Sequence, residues 1–137
     1  MSLQFEQIDV GYTLPALSLP AINRTTLALF AGASGDHNPI HIDSDFAKAV
    51  GMPDVFAHGM LSMAYLGRLI TQWVPQAQLR QFNARFVDIT HLGDIPCCTG
   101  RVVKKLLDGE QRLLRIEIQC ANQQGQSKIV GDALIAC

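Results

Sequence analysis

At 137 residues the chain has room for one main hydrophobic core, and its net charge is −1 with no basic run beyond Lys104-Lys105, which excludes nucleic acid as the expected partner. Apolar residues make up 48% of it and charged residues only 17%, less than the usual quarter or so, so apolar surface is left over for a subunit interface or a pocket. No apolar run reaches the ~18 residues of a membrane span, no leader pattern opens the chain, and four cysteines lack any C-x-x-C spacing; a soluble cytoplasmic protein with free, small apolar thiols is expected.

Taken in chain order, "LPALSLPAI" (14–22) is too rich in proline for a central strand and suits at most a sheet edge. Asn23 is a predicted N-cap for a short helix through Leu27, Phe30 and Ala31, after which Gly32 and Gly35 loosen the chain into "SGDHNPIHID" (34–43). Asp43 or Ser44 caps a second short helix that stops at Gly51-Met52-Pro53. "HGMLSMAYLGRLITQWVP" (58–75) is the longest helical candidate: Met60, Leu61, Ala64, Tyr65, Leu69 and Trp73 keep one side apolar, and Met63, Leu66 and Ile70 widen it. Such a helix is expected to be buried almost all round.

From Leu79 the periodicity changes. "RQFNARFVDIT", "CCTGRVVKKLL", "RLLRIEIQCAN" and "KIVGDALIAC" are strand-like, separated by Gly93-Asp94, Asp108-Gly109 and Gln123 to Gly125. Cys97 and Cys98 should face opposite sides of their strand. Helices first and strands in succession afterwards predict an α+β fold, one domain over 1–137, with an antiparallel sheet wrapped around the long helix.

The polar loop carries the candidate chemistry. Asp36 and His41 are five residues apart with Pro39 between them; proline turns the segment, so carboxylate and imidazole could converge as a general acid–base pair. The same residues also suit a purely structural role, Asp36 and Asn38 capping turns and His41 anchoring a helix entrance. His37 and His41 stand four apart, but Pro39 argues against the helix that would make them a metal chelate, and no metal is expected. Ser34 in "GASG" does not match a nucleophile elbow. At the start of the long helix, Gly59 offers a helix N-terminal N–H that a side chain cannot block, suited to a developing oxyanion or simply to close packing.

Asp36-His37-Asn38-Pro39-Ile40-His41, preceded by Phe30 and Gly35 and followed by Ala57-His58-Gly59-Met60, closely resembles the signature of the R-specific enoyl-thioester hydratases, also called MaoC-like dehydratases. It is similar also to the (3R)-hydroxyacyl-carrier-protein dehydratase subunits. The resemblance runs from about Asn23 to Pro75, with a weaker echo from Asn83 to Asp94. It implies the hot dog fold, an antiparallel sheet around a long central helix, and a dimer of like or unlike hot dogs. Asp36 and His41 then match the catalytic pair and the Gly59 N–H the oxyanion donor, in reversible hydration of a trans-2-enoyl thioester to the (3R)-hydroxyacyl product without a cofactor. Asn38, His58 and Met60 become substrate-side neighbours.

Where many relatives have a proline-valine pair, this chain has Asp88-Ile89-Thr90-His91, so Asp88 and His91 are either pocket or solvated loop residues. Arg85, Arg101, Lys104 and Lys105 would meet the phosphates of acyl-CoA or an acidic acyl carrier protein, or else lie on exposed strand faces. Two other readings stay open on the sequence: a non-catalytic hot dog subunit that binds acyl thioesters or supports an active partner, and a thioesterase.

Overall fold

The computed structural model describes residues 4–137. Three helices, α1 (Arg24–Ser34), α2 (Ser44–Ala49) and α3 (Gly59–Trp73), precede most of a five-stranded sheet made of β1 (Leu17–Ser18), β2 (Leu79–Phe86), β3 (Cys97–Asp108), β4 (Gln111–Ala121) and β5 (Ser127–Ala136). Every pairing is antiparallel and the order is β1-β3-β4-β5-β2. The proline-rich segment does supply an edge strand, two residues long.

Local signals place the ends. Asn23 Oδ1 accepts the Thr26 N–H at 2.8 Å and starts α1. The helix runs through Gly32 and is stopped only by Gly35, whose φ of 75° is left-handed; a lone glycine weakens a helix without ending it. Asp43 accepts the N–H groups of Asp45 and Phe46 and caps α2. Pro75 follows α3 two residues after its end. Asp108 pairs with Gln111 across a two-residue hairpin in which Gly109 has φ 62°, as a II′ turn requires. Strand β2 stops at Phe86 rather than continuing to Thr90: the N–H groups of Val87 and Asp88 both turn to the Lys128 carbonyl, and the chain leaves the ladder.

The sheet curls over α3. Leu66, Leu69 and Ile70 pack on Leu114, Ile116, Ile129, Ala133, Ile135, Val102 and Cys98 as the main core. Where β2 pairs with β5 the backbones approach closely: a Cβ on Gly131 would lie 2.0 Å from the Asn83 carbonyl oxygen, so no other residue fits. A second cluster of Ile22, Leu27, Ala47, Val55, Ala57 and Leu61 clamps α1, α2 and the loop between α2 and α3 onto the start of α3. Cys98 is buried opposite Cys120 while its neighbour Cys97 is half-buried, and all four thiols are free. Among the described residues no helix is long and apolar enough to cross a membrane.

The expected all-round burial of α3 does not hold. Met60 is 55% exposed, and Ala64, Arg68 and Thr71 continue an open stripe down one side. The sheet covers one face and the α1–α2 layer only the first turns, leaving this stripe uncovered in the single chain.

Candidate active site

The loop after α1 folds on its own side chains. Ser34 Oγ accepts the Asp36 N–H (3.2 Å), Asp36 Oδ1 accepts the Asn38 N–H (3.2 Å), and Asn38 Oδ1 accepts the Ile40 N–H (3.1 Å). Asn38 thereby caps the 3-10 turn Pro39–His41 that carries His41 inward. The turn-capping reading of Asp36 and Asn38 is correct as far as it goes. It uses one carboxylate oxygen of Asp36 and leaves the other on an exposed side chain.

His41 is 9% exposed, and its Nδ1 lies 2.7 Å from the Phe56 carbonyl oxygen. A carbonyl only accepts, so Nδ1 carries the proton and the neutral ring keeps its lone pair on Nε2. Under it lies His58, with ring centroids 3.9 Å apart and planes 28° from parallel. One side-chain donor atom from each of Asp36, His41 and His58 falls within 4.8 Å of the others. That clustering does not make a metal site: two imidazoles share an ion only by each holding it in its ring plane at about 2.0–2.1 Å, and stacked rings aim their lone pairs along near-parallel planes.

Gly59 is the first residue of α3, so its N–H has no acceptor within the helix, and no side chain caps this end among the described residues. The Phe86 ring presses on it: a Cβ on Gly59 would meet Cδ1 and Cε1 at 3.0 Å. Beside these groups runs an apolar groove of about 510 Å³ lined by Phe30, Ser34, Asp36, Met60, Met63, Ala64, Gly67 and Phe82. It begins at Asp36 and follows the open stripe of α3. A free N–H, an acid–base pair and an adjoining apolar channel can hold a carbonyl, move a proton and accept a chain of methylenes.

Asp36, Asn38, His41, His58, Gly59 and Met60 thus come together. Arg85, Arg101 and Lys104 do not join them. Arg101, Glu117, Asp132 and Asn83 stand in one row across four strands on the face turned away from α3. Arg85 and Arg101 line a separate depression of about 750 Å³ there, and Arg101 is bonded to Glu117 at 3.2 Å. Lys104 pairs in register with Arg115 on that same face and is exposed. Alternation with core residues such as Val102 and Ala84 turns Arg101 and Arg85 outward, and a β-bulge between Val102 and Lys104 puts Lys104 on the same outer face.

The sequence reading missed the brace behind the site. Lys128 is only 4% exposed; its Nζ lies 3.0 Å from Asp88 Oδ2, 2.7 Å from the Ile89 carbonyl and 3.6 Å from Asp94 Oδ2. The Lys128 bond, with the Ile89 N–H, holds the Asp88 carboxyl below its ordinary pKa. Asp88 is a half-exposed loop residue outside the groove, as the solvated-loop reading has it, and it also holds Lys128. The braced loop passes Thr90 to α3, where its carbonyl accepts the Ala57 N–H (2.9 Å) and its hydroxyl meets Ser62 (3.4 Å), next to His58 and Gly59. His91 bridges to Phe56 through the backbone, the same residue whose carbonyl orients His41. The only sequence signal was one lysine in an apolar strand.

The family model of the MaoC like domain matches residues 11–107. The chain belongs to the MaoC-like domain family. This MaoC-like domain is 34% identical over 133 residues to the (R)-specific enoyl-CoA hydratase of Rhodospirillum rubrum, covering 96% of this chain and 89% of that protein. The unliganded R-hydratase PhaJ1 of Pseudomonas aeruginosa superposes with TM-score 0.83 at 29% identity, over 96% of this chain and 84% of that one, and the hot dog fold is shared. Fatty acid synthase subunit beta of Saccharomyces cerevisiae is 30% identical over 87 residues, 61% of this chain but only 4% of that far longer protein.

Proposed function

We propose that this MaoC-like domain catalyses the reversible addition of water to trans-2-enoyl thioesters, giving (3R)-3-hydroxyacyl thioesters. The observation that carries the reading is that Asp36, which lines the apolar groove, clusters with a His41 whose neutral form keeps its lone pair on Nε2 and with His58, the residue directly before the uncapped N–H of Gly59. Similarity to the (R)-specific hydratase over nearly the whole chain supports it.

In hydration, the free oxygen of Asp36 and His41 Nε2 hold one water between them. His41 takes a proton as the water oxygen bonds C3, and the imidazolium returns a proton to C2. Water is thus divided into a hydroxyl on C3 and a hydrogen on C2, both delivered from one face. Gly59 N–H donates a hydrogen bond to the thioester oxygen and stabilises the negative charge that gathers there between these steps. No cofactor enters. The carrier is CoA or acyl carrier protein, and the acyl chain follows the groove along α3. Residues 1–137 act as one hot dog domain, in the cytoplasm, with a second hot dog copy against the open stripe of α3, the exposed Phe86 and Val87 and the outer edge of β2.

Product analysis with crotonyl-CoA tests the reading. A 3-hydroxybutyryl thioester is the expected product. Free thiol would make the protein a thioesterase, and unchanged substrate with measurable binding would make it a non-catalytic acyl-thioester-binding subunit; either result rejects the proposal.

A further inference from the structure

His58 carries an arrangement that the reaction above does not use. It is a polar side chain only 2% exposed. Its Nε2 lies 3.1 Å from the backbone carbonyl of Asp36, a contact spanning 22 residues of sequence. Since a carbonyl only accepts, Nε2 carries the proton. One face of the ring stacks on His41, and Phe30 meets it edge-on with centroids 5.0 Å apart. His58 also directly precedes the Gly59 N–H in the chain. One side chain thus touches the backbone of the acid and the ring of the base, and sits one peptide from the oxyanion donor.

We propose, resting on the hydratase reading, that His58 is a positioning residue which fixes the separation of Asp36, His41 and the Gly59 N–H through its Nε2–H bond and its stacked ring. It neither exchanges a proton with substrate nor contacts the acyl chain. Burial holds the ring below the ordinary histidine pKa against the opposing pull of the Asp36 carbonyl bond, and repulsion from His41 adds a lesser push in the same direction as burial. An uncharged His58 is what the stack requires, because a second cation at this distance would oppose formation of the His41 imidazolium. Its Nδ1 is buried with no hydrogen-bond partner among the described residues. An unpaired buried acceptor costs free energy, and a residue chosen only to fill space would not carry it. The Nε2–H bond is what an apolar side chain of similar size would lose.

Two independent measurements test this. Imidazole ¹⁵N spectra of the full-length wild-type protein should give His58 as the neutral Nε2–H tautomer throughout about pH 6 to 8, the range in which ordinary histidines titrate. A Nδ1–H tautomer or an imidazolium there overturns the proposal, whatever the protein does to thioesters. In kinetics on crotonyl-CoA, His58→Phe keeps a stacking ring and removes the donor. It should lower kcat by roughly 100-fold, the scale of an ångström-sized misplacement, with KM little changed and the pH profile of the wild type kept. His58→Gln restores an N–H donor and should recover part of that loss. Equal loss in both variants would mean packing alone, a rise in KM at constant kcat would mean substrate contact, and a vanished pH limb would make His58 a titrating catalyst. Each of these overturns the proposal. Inactive wild-type protein would instead reject the hydratase reading and leave the spectra to decide the His58 geometry.

Discussion

Replacing Lys128 with methionine isolates the brace behind the site. The substitution keeps the length and apolar stem that pack in β5 and removes a charge that is 4% exposed. Its three oxygen partners fare differently. Asp88 is half exposed and regains water, so its loss is small. The Ile89 carbonyl loses a 2.7 Å bond. Asp94 is 13% exposed and keeps its bonds from the His91 N–H and Asn122, but its charge stays in place without the nearby cation. Breaking a fully buried pair costs about 3–5 kcal/mol; with one of the partners solvated, about 2–4 kcal/mol is expected for Lys128→Met. Urea unfolding reads this directly. The pH dependence follows from Asp88, whose folded pKa is depressed. Its contribution is complete above the unfolded carboxylate value near 4 and is lost as pH falls through the lower folded value. The gap between wild type and Lys128→Met should therefore be full at pH 7 and shrink in acid. A gap under about 0.5 kcal/mol, the ordinary scatter of surface substitutions, or one that widens in acid, would refute the reasoning.

Other perturbations address the site itself. Asp36→Asn and His41→Ala should each lower kcat by at least ~100-fold, the scale of general acid–base catalysis; steady-state rates beside melting curves separate this from unfolding. Gly59→Ala puts a methyl 3.0 Å from the Phe86 ring, closer than the ~3.5–4.0 Å of an ordinary carbon contact. With that ring held under the second copy, the start of α3 must give instead, so kcat should fall as the N–H is turned from its target. Arg101→Ala should leave KM for crotonyl-CoA unchanged, as the guanidinium is on the far face and bonded to Glu117; a raised KM would bring the outer face into substrate binding.

The fold was legible because local chemistry and global arrangement agree. Asn23, Asp43, Pro75 and the Gly109 hairpin are each where capping and turn rules put them, and the sheet's alternation follows the sequence closely. The exceptions have physical causes. The hydrophobicity of α3 is real, but hydrophobic residues do not say whether their cover lies in the same chain; Met60 and Ala64 face a groove. Asp36 and His41 were visible through residue type and Pro39. The Phe56 carbonyl that fixes the His41 tautomer, the Phe86 ring over Gly59 and the Lys128 brace come from distant strands and loops with no local pattern. The surface arginines were legible as charges, but their side of the sheet was decided by register, which one strand alone does not reveal.

The most direct test of the central claim is the fate of the enoyl-thioester absorbance band when crotonyl-CoA meets wild-type protein and Asp36→Asn side by side, with chiral analysis of the product. The account predicts loss of the band in the wild type only, no thiol release, and the (3R)-hydroxy product. Equal rates in the two proteins, or the (3S) product, would contradict it.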